Sequence, residues 1–99
     1  MITNQEFEDY MNQMVSFHKE QCPIICMEEC SELIQAISKK IRDGEKIDEK
    51  HNGNLCEEIA DVFTSALMLV NYYGLSEEEI DKWFEFKQQR NLARIKNNS

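Results

Sequence analysis

The sequence predicts an all-α fold: a four-helix bundle built around an antiparallel helical hairpin and completed by oligomerisation. Three observations carry this expectation. The 99 residues include only three glycines and one proline, and the period-two alternation of strands is hard to find. Apolar residues recur instead at helical spacing, in segments punctuated by capping and stop signals. A single domain of this length, residues 1–99, also buries a limited core by itself, so further burial against other copies is expected.

The elements follow in order. Thr3-Asn4-Gln5-Glu6 reads as a capping box, which starts the first helix near residue 4. Phe7, Tyr10, Met11, Met14 and His18 then share one face, and the Met and aromatic stripe reads as core. His18 has the chemistry of a base or a ligand, but the plainer reading is an amphipathic residue packed at an interface. Pro23 breaks the first helix and suits the first turn of the second. The second helix should run to about Arg42, with Lys39, Lys40 and Arg42 where the macrodipole favours cations. Cys22, Cys26 and Cys30 are spaced four apart. Structural zinc sites usually use CxxC knuckles or separated pairs, so these cysteines read as small hydrophobes.

The polar stretch from Asp43 to Asn54, with Gly44 and Gly53, reads as the hairpin loop. Asn54-Leu55-Cys56-Glu57 looks like the next capping start, although an earlier helix start is compatible with it. The third helix should end about Tyr73, where Gly74 fits a stop. Ser76-Glu77-Glu78-Glu79 is the clearest capping box in the chain. The fourth helix is then expected to turn Ile80, Trp83 and Phe84 inward. The same face continues as Lys87, Asn91 and Arg94, an inward stripe that changes from apolar to basic. Phe63, Leu67, Phe86 and Leu92 lie off the main faces, a further reason to expect a homodimer or homotetramer.

Two acidic stretches organise the chain, Glu28 to Ala36 and Glu57 to Ser65. Each holds an acid pair at i and i+3, Glu29/Glu32 and Glu58/Asp61, which a helix sets on one face about one turn apart. At about 100° per residue, Cys26, Cys30, Leu33, Ile37 and Ile41 form the apolar stripe of the second helix. Leu55, Ile59, Val62, Ala66, Leu69, Val70 and Tyr73 form that of the third. The acid pairs flank these stripes, so they are expected at the edge of a core-facing surface. Acids placed there protonate, find a cation or bind a metal. Four converging carboxylates suit a hard, oxygen-preferring ion, Mg²⁺ first. An antiparallel hairpin reverses chain order, so Glu29 is expected to approach Asp61 and Glu32 to approach Glu58.

The formal net charge of −8 argues against a general nucleic-acid binder, which shows a basic patch. It does not exclude a nucleotide whose charge is bridged by a metal. There is no apolar run long enough to span a membrane and no signal peptide at the polar, acidic start. Four cysteines in that context suggest reduced thiols and a cytoplasmic location.

Glu29-x-x-Glu32 followed by Glu58-x-x-Asp61 resembles the paired acidic motifs of the MazG-like all-α nucleotide pyrophosphohydrolases, a family related to the dimeric dUTPases. The strings MEECSELIQAI and EEIADVFTSALML look like that family's two motif helices. Lys87-x-x-x-Asn91-x-x-Arg94 is similar to its C-terminal basic motif. The resemblance spans about residues 24 to 95. It implies a homodimer or tetramer that cleaves nucleoside triphosphates to the monophosphate and pyrophosphate with Mg²⁺, for which Mn²⁺ is a possible substitute. It also implies nucleotide-pool housecleaning as the role. By the same resemblance, Glu29, Glu32, Glu58 and Asp61 would hold the metal and carry catalysis. Lys87, Asn91 and Arg94 would contact the substrate's phosphates or ribose. No base-recognition motif is matched in the first helix, so the nucleobase stays open.

Two other classes compete. A ferritin-like dimetal protein also sets acids inside a helical bundle, but it needs Glu-x-x-His pairs. Here only His51 follows an acid, Asp48, at that spacing, outside both motifs. A non-catalytic helical interaction module would leave the acids on a merely solvated face.

Overall fold

The computed structural model describes residues 4–44 and 49–98, and only the backbone over 49–53. The chain forms α1 (Gln5–His18), a short 3₁₀ turn (Lys19–Gln21), α2 (Cys22–Arg42), α3 (Glu49–Tyr73) and α4 (Glu77–Asn97). The described residues contain no strand.

Helix ends follow local chemistry. The Asn4 side chain accepts from the Phe7 amide at 2.8 Å and caps α1, an arrangement worth about 1 kcal/mol. The cap is therefore Asn4, one residue beyond the Thr3 start of the expected box; Thr3 lies outside the described residues. The break after α1 falls at Lys19, with φ 51°. Lys19 is the i−4 residue of Pro23, the position whose carbonyl a helical proline would strike and leave without a donor. Pro23 itself sits in the first turn of α2, as expected.

The hairpin loop is shorter than the sequence reading. The third helix already begins at Glu49, so Asn54 lies inside it and caps nothing. Residues 45–48 lie outside the described residues, as does the side chain of His51. At the far end, the Leu75 amide donates to Val70 O at 2.9 Å and the Gly74 amide to Asn71 O at 3.1 Å. With Gly74 at φ 62°, these bonds form a Schellman stop that only glycine adopts without strain. Ser76 then accepts from the Glu79 amide at 3.1 Å and starts α4, as its capping box predicts.

The core is small. Met11 of α1, Cys22 of α2 and Met68 of α3 form its buried centre, with Phe7, Met14, Val15, Ile25, Leu67 and Tyr72 packed around it. A hydrogen bond of 2.7 Å from the Asn71 amide to Asn12 Oδ1 ties α1 to α3.

Two expectations about faces are corrected. On α2 the expected stripe is half-buried at Cys26 and Leu33 but exposed at Cys30, Ile37 and Ile41, while Cys22, Ile25, Glu29, Ala36 and Lys40 are buried or half-buried beside it. On α3 it is half-buried at Leu55, Val62, Leu69 and Val70 but exposed at Ile59, Ala66 and Tyr73, while Glu58, Ser65, Met68 and Tyr72 are buried or half-buried beside it. The most apolar stripe of each helix is thus only partly the one buried inside the chain. Secondly, α4 buries no residue, and Trp83 and Phe84 are 54% and 67% exposed rather than inward. Phe63, Phe86 and Leu92 are exposed too, whereas Leu67 belongs to the packing around Met68.

Candidate functional site

The helical hairpin sets the register of the acids. Across the antiparallel seam, Glu29 faces Asp61 and Glu58 faces Glu32, the pairing that reversed chain order requires. Glu29, Glu32 and Glu58 each offer a carboxylate oxygen within 4.8 Å of the others. Asp61 stands outside that trio and joins the group through Glu29. All four acids named from the sequence are therefore neighbours; Glu29, Glu58 and Asp61 are half-buried and Glu32 is exposed.

Position on the seam governs their electrostatics. Glu29 is held above the ordinary carboxylate range, first by burial, then by the charges of Glu32, Asp61 and Glu58, with hydrogen bonding to Asp61 acting the same way. Glu58 is raised first by burial, then by Glu32, Asp61 and Glu57, and by hydrogen bonding to Glu32. Burial disfavours the charged form, and like charges add to that. Glu29 Oε2 and Glu58 Oε2 are sealed from solvent without a hydrogen-bond partner. An orphaned buried carboxylate oxygen costs free energy unless something occupies it. The donor set is wholly carboxylate oxygen, which suits a hard divalent cation. The residues present therefore fit a metal of the Mg²⁺ class. Acids on a merely solvated face would not be partly buried with orphaned oxygens.

Ser65 continues the acids' line on α3, as helical spacing expects. Ser65, 3% exposed, is the buried polar residue one turn beyond Asp61, and its hydroxyl donates to Val62 O at 3.0 Å. The signal for it was the line Glu58, Asp61, Ser65, Met68, which alternates three and four residues as a helical seam does.

The basic motif is not brought to the acids within one chain. Phe84, Lys87, Gln88, Asn91 and Leu92 share a face of α4, and every residue from Asp81 to Asn98 is exposed. A cleft of about 420 Å³ lies elsewhere, between α1, the end of α3 and the start of α4. It shares no residue with the acid quartet, and its charged lining residues, Glu8 and Glu77, are both acidic, so it offers nothing to a polyphosphate. His18 is half-buried and packs edge-on against its chain neighbour Phe17, ring centroids 4.9 Å apart. Cys22 is fully buried in the core, whereas Cys30 and Cys56 are exposed. Among the described residues the cysteines join no ligand cluster.

No helix of the described residues is long and apolar enough to cross a membrane. Comparison with known proteins finds no matching curated sequence and no matching solved structure. The sequence model of the MazG nucleotide pyrophosphohydrolase domain does match, over residues 17–90. That span contains α2, α3, both acid pairs and the first two thirds of α4. The chain belongs to the MazG nucleotide pyrophosphohydrolase domain family.

Proposed function

We propose that this protein hydrolyses nucleoside or deoxynucleoside triphosphates to the monophosphate and pyrophosphate, with Mg²⁺ held on Glu29, Glu32 and Glu58, as a housecleaning enzyme of the nucleotide pool. The observation that carries this reading is the pair of buried, unpartnered oxygens on Glu29 and Glu58, inside an acid quartet on the two helices of the family match. When bound, Mg²⁺ supplies the charge that lets a triphosphate approach four acids, and it makes a bound water more acidic; Mn²⁺ has the same preference for oxygen.

The chain's own residues do the rest. Glu29, Glu32 and Glu58 present converging oxygens. Asp61, outside that trio but beside Glu29, is the carboxylate left to accept the proton of the attacking water. Lys87 and Arg94 neutralise the non-bridging phosphate oxygens, and Asn91 hydrogen-bonds the ribose or a phosphate. The protein works as a homodimer or homotetramer in the cytoplasm, because the exposed stripes of α2 and α3 and the exposed α4 leave too much apolar surface for one copy.

A panel of nucleoside triphosphates incubated with Mg²⁺ and resolved by chromatography tests the reading. Monophosphate and pyrophosphate are the expected products. A nucleoside diphosphate with orthophosphate would sink it.

A further inference from the structure

The cleft of about 420 Å³ between α1, the end of α3 and the start of α4 has no part in the reaction proposed above. We propose that it binds a small organic cation, an amine or amidine head on an apolar body. The site shares no residue with the acid quartet, so it stands whether or not the chain hydrolyses nucleotides.

The lining has an apolar part and a charged part. Phe7, Met11, Leu67 and Val70 supply apolar surface from two helices. Met11 belongs to the buried centre of the core, and Phe7 and Leu67 pack against it, so this wall is held in place by the fold. The volume lies in the range of about 300–1,000 Å³ in which small ligands bind.

The charged part has one sign. Glu8 of α1 and Glu77, the first residue of α4, are the charged residues of the lining. Among the described residues neither carboxylate takes part in a hydrogen bond or an ion pair. Asn12 and Asn71 also line the cleft, and they bond to each other through Asn71 Nδ2 and Asn12 Oδ1. That bond leaves Asn71 Oδ1 as a further acceptor and Asn12 Nδ2 as the side-chain donor of the lining. Two carboxylates and an amide oxygen against one amide nitrogen call for a ligand that is positively charged and rich in N–H groups.

Other ligand classes match less well. A phosphate would meet two acids and no cation. A bare divalent ion takes six or more oxygen ligands, whereas Glu8 and Glu77 belong to no three-ligand group among the described residues. An organic cation uses the carboxylates through its head and the apolar wall through its body. Held between Glu8 and Glu77, it touches α1 and α4 at once. It would tie the first turn of α4, a helix that buries no residue of its own, to the body of the chain.

Benzamidinium, benzamide and benzoate test this, because they share one shape and differ in charge. Each is titrated into the full chain at low salt, and binding is read from amide shifts in nuclear magnetic resonance. Benzamidinium is expected to bind once per chain, with the largest shifts at Glu8, Asn12, Asn71 and Glu77. Benzamide should bind about tenfold more weakly, as the loss of two exposed ion pairs gives, and benzoate more weakly again. Added salt should weaken the cation and spare benzamide. Glu8→Gln/Glu77→Gln should bring benzamidinium down to the level of benzamide, with circular dichroism showing that the helices persist. Equal binding of benzamidinium and benzamide by the unaltered chain would overturn the proposal without any variant. Shifts centred on Glu29 and Glu58, or full affinity in the double variant, would place the cation elsewhere and overturn it too. A capped lysine peptide that binds the cleft more tightly than benzamidinium would make it a docking face for protein chains, which also overturns a small-ligand site. None of these outcomes involves a nucleotide, so the proposed hydrolysis is judged separately by its products.

Discussion

Glu29 on α2 faces Asp61 on α3 across the helical seam, and Glu29 is held above the ordinary carboxylate range, chiefly through burial. Two acids in that relationship oppose the fold when both are charged. Glu29→Gln removes one repelling charge and keeps the shape. Without metal this variant should melt at or above wild type. It should gain less from Mg²⁺ than wild type, for which an ion at a hundred times its Kd adds about 2.7 kcal/mol. Its hydrolysis should be slight or absent. Differential scanning of both proteins in EDTA and in excess Mg²⁺ measures this; an acid in an ordinary salt bridge would lose stability on the same change.

The pH dependence has a definite sign. Glu29 and Glu58 both titrate above the ordinary glutamate range in the fold. The folded state therefore holds more protons than the unfolded chain between that range and the raised values, and stability falls as pH rises through the window. In EDTA the melting temperature should climb as pH is lowered from neutrality toward the ordinary glutamate range. Saturating Mg²⁺, which needs the ionised carboxylates, should flatten or reverse the trend. A melting series with and without Mg²⁺ checks it.

Lys87→Ala and Arg94→Ala should weaken catalysis and leave the helical content intact, since both residues are exposed on α4. Charge-assisted hydrogen bonds to phosphate are worth roughly 1.5–3 kcal/mol, so kcat/KM should fall roughly tenfold to a hundredfold in each variant. Steady-state kinetics beside circular dichroism makes the comparison. Unchanged kinetics in both would leave this face with no part in the reaction.

Lys19 adopts φ 51° and ψ −128° at the break between α1 and α2, a conformation that costs a non-glycine residue about 1–3 kcal/mol. Lys19→Gly should therefore raise the unfolding free energy, by about 1 kcal/mol after the added freedom of the unfolded glycine is counted. Urea melts of the two proteins decide it; a less stable variant would mean that the backbone here is unstrained.

The acid register was legible before any coordinates. Helical spacing puts Glu29/Glu32 and Glu58/Asp61 each on one face, and antiparallel order alone pairs Glu29 with Asp61. The seam itself was not legible. Hydropathy favours Cys30, Ile37 and Ile41 over Glu29 as inward residues, yet Ile37 and Ile41 are 44% and 60% exposed while Glu29 is half-buried. A sequence scan ranks faces by their apolar content. It has no means of separating a face buried within the chain from one left for another copy, and α4 shows the same ambiguity at Trp83 and Phe84.

By itself the sequence determined what is decided within a turn or two of helix. The start at Asn4, the break ahead of Pro23, the stop at Gly74 and the start at Ser76 depend on caps and backbone freedom, which neighbours a few residues away supply. Only the tertiary structure decided which faces meet. It placed Glu29 and Glu58 on the α2–α3 seam with two unsatisfied oxygens, buried Ser65 on α3, and left α4 without a buried residue. Burial is summed over every surface that comes together, whereas a cap is satisfied by its own segment.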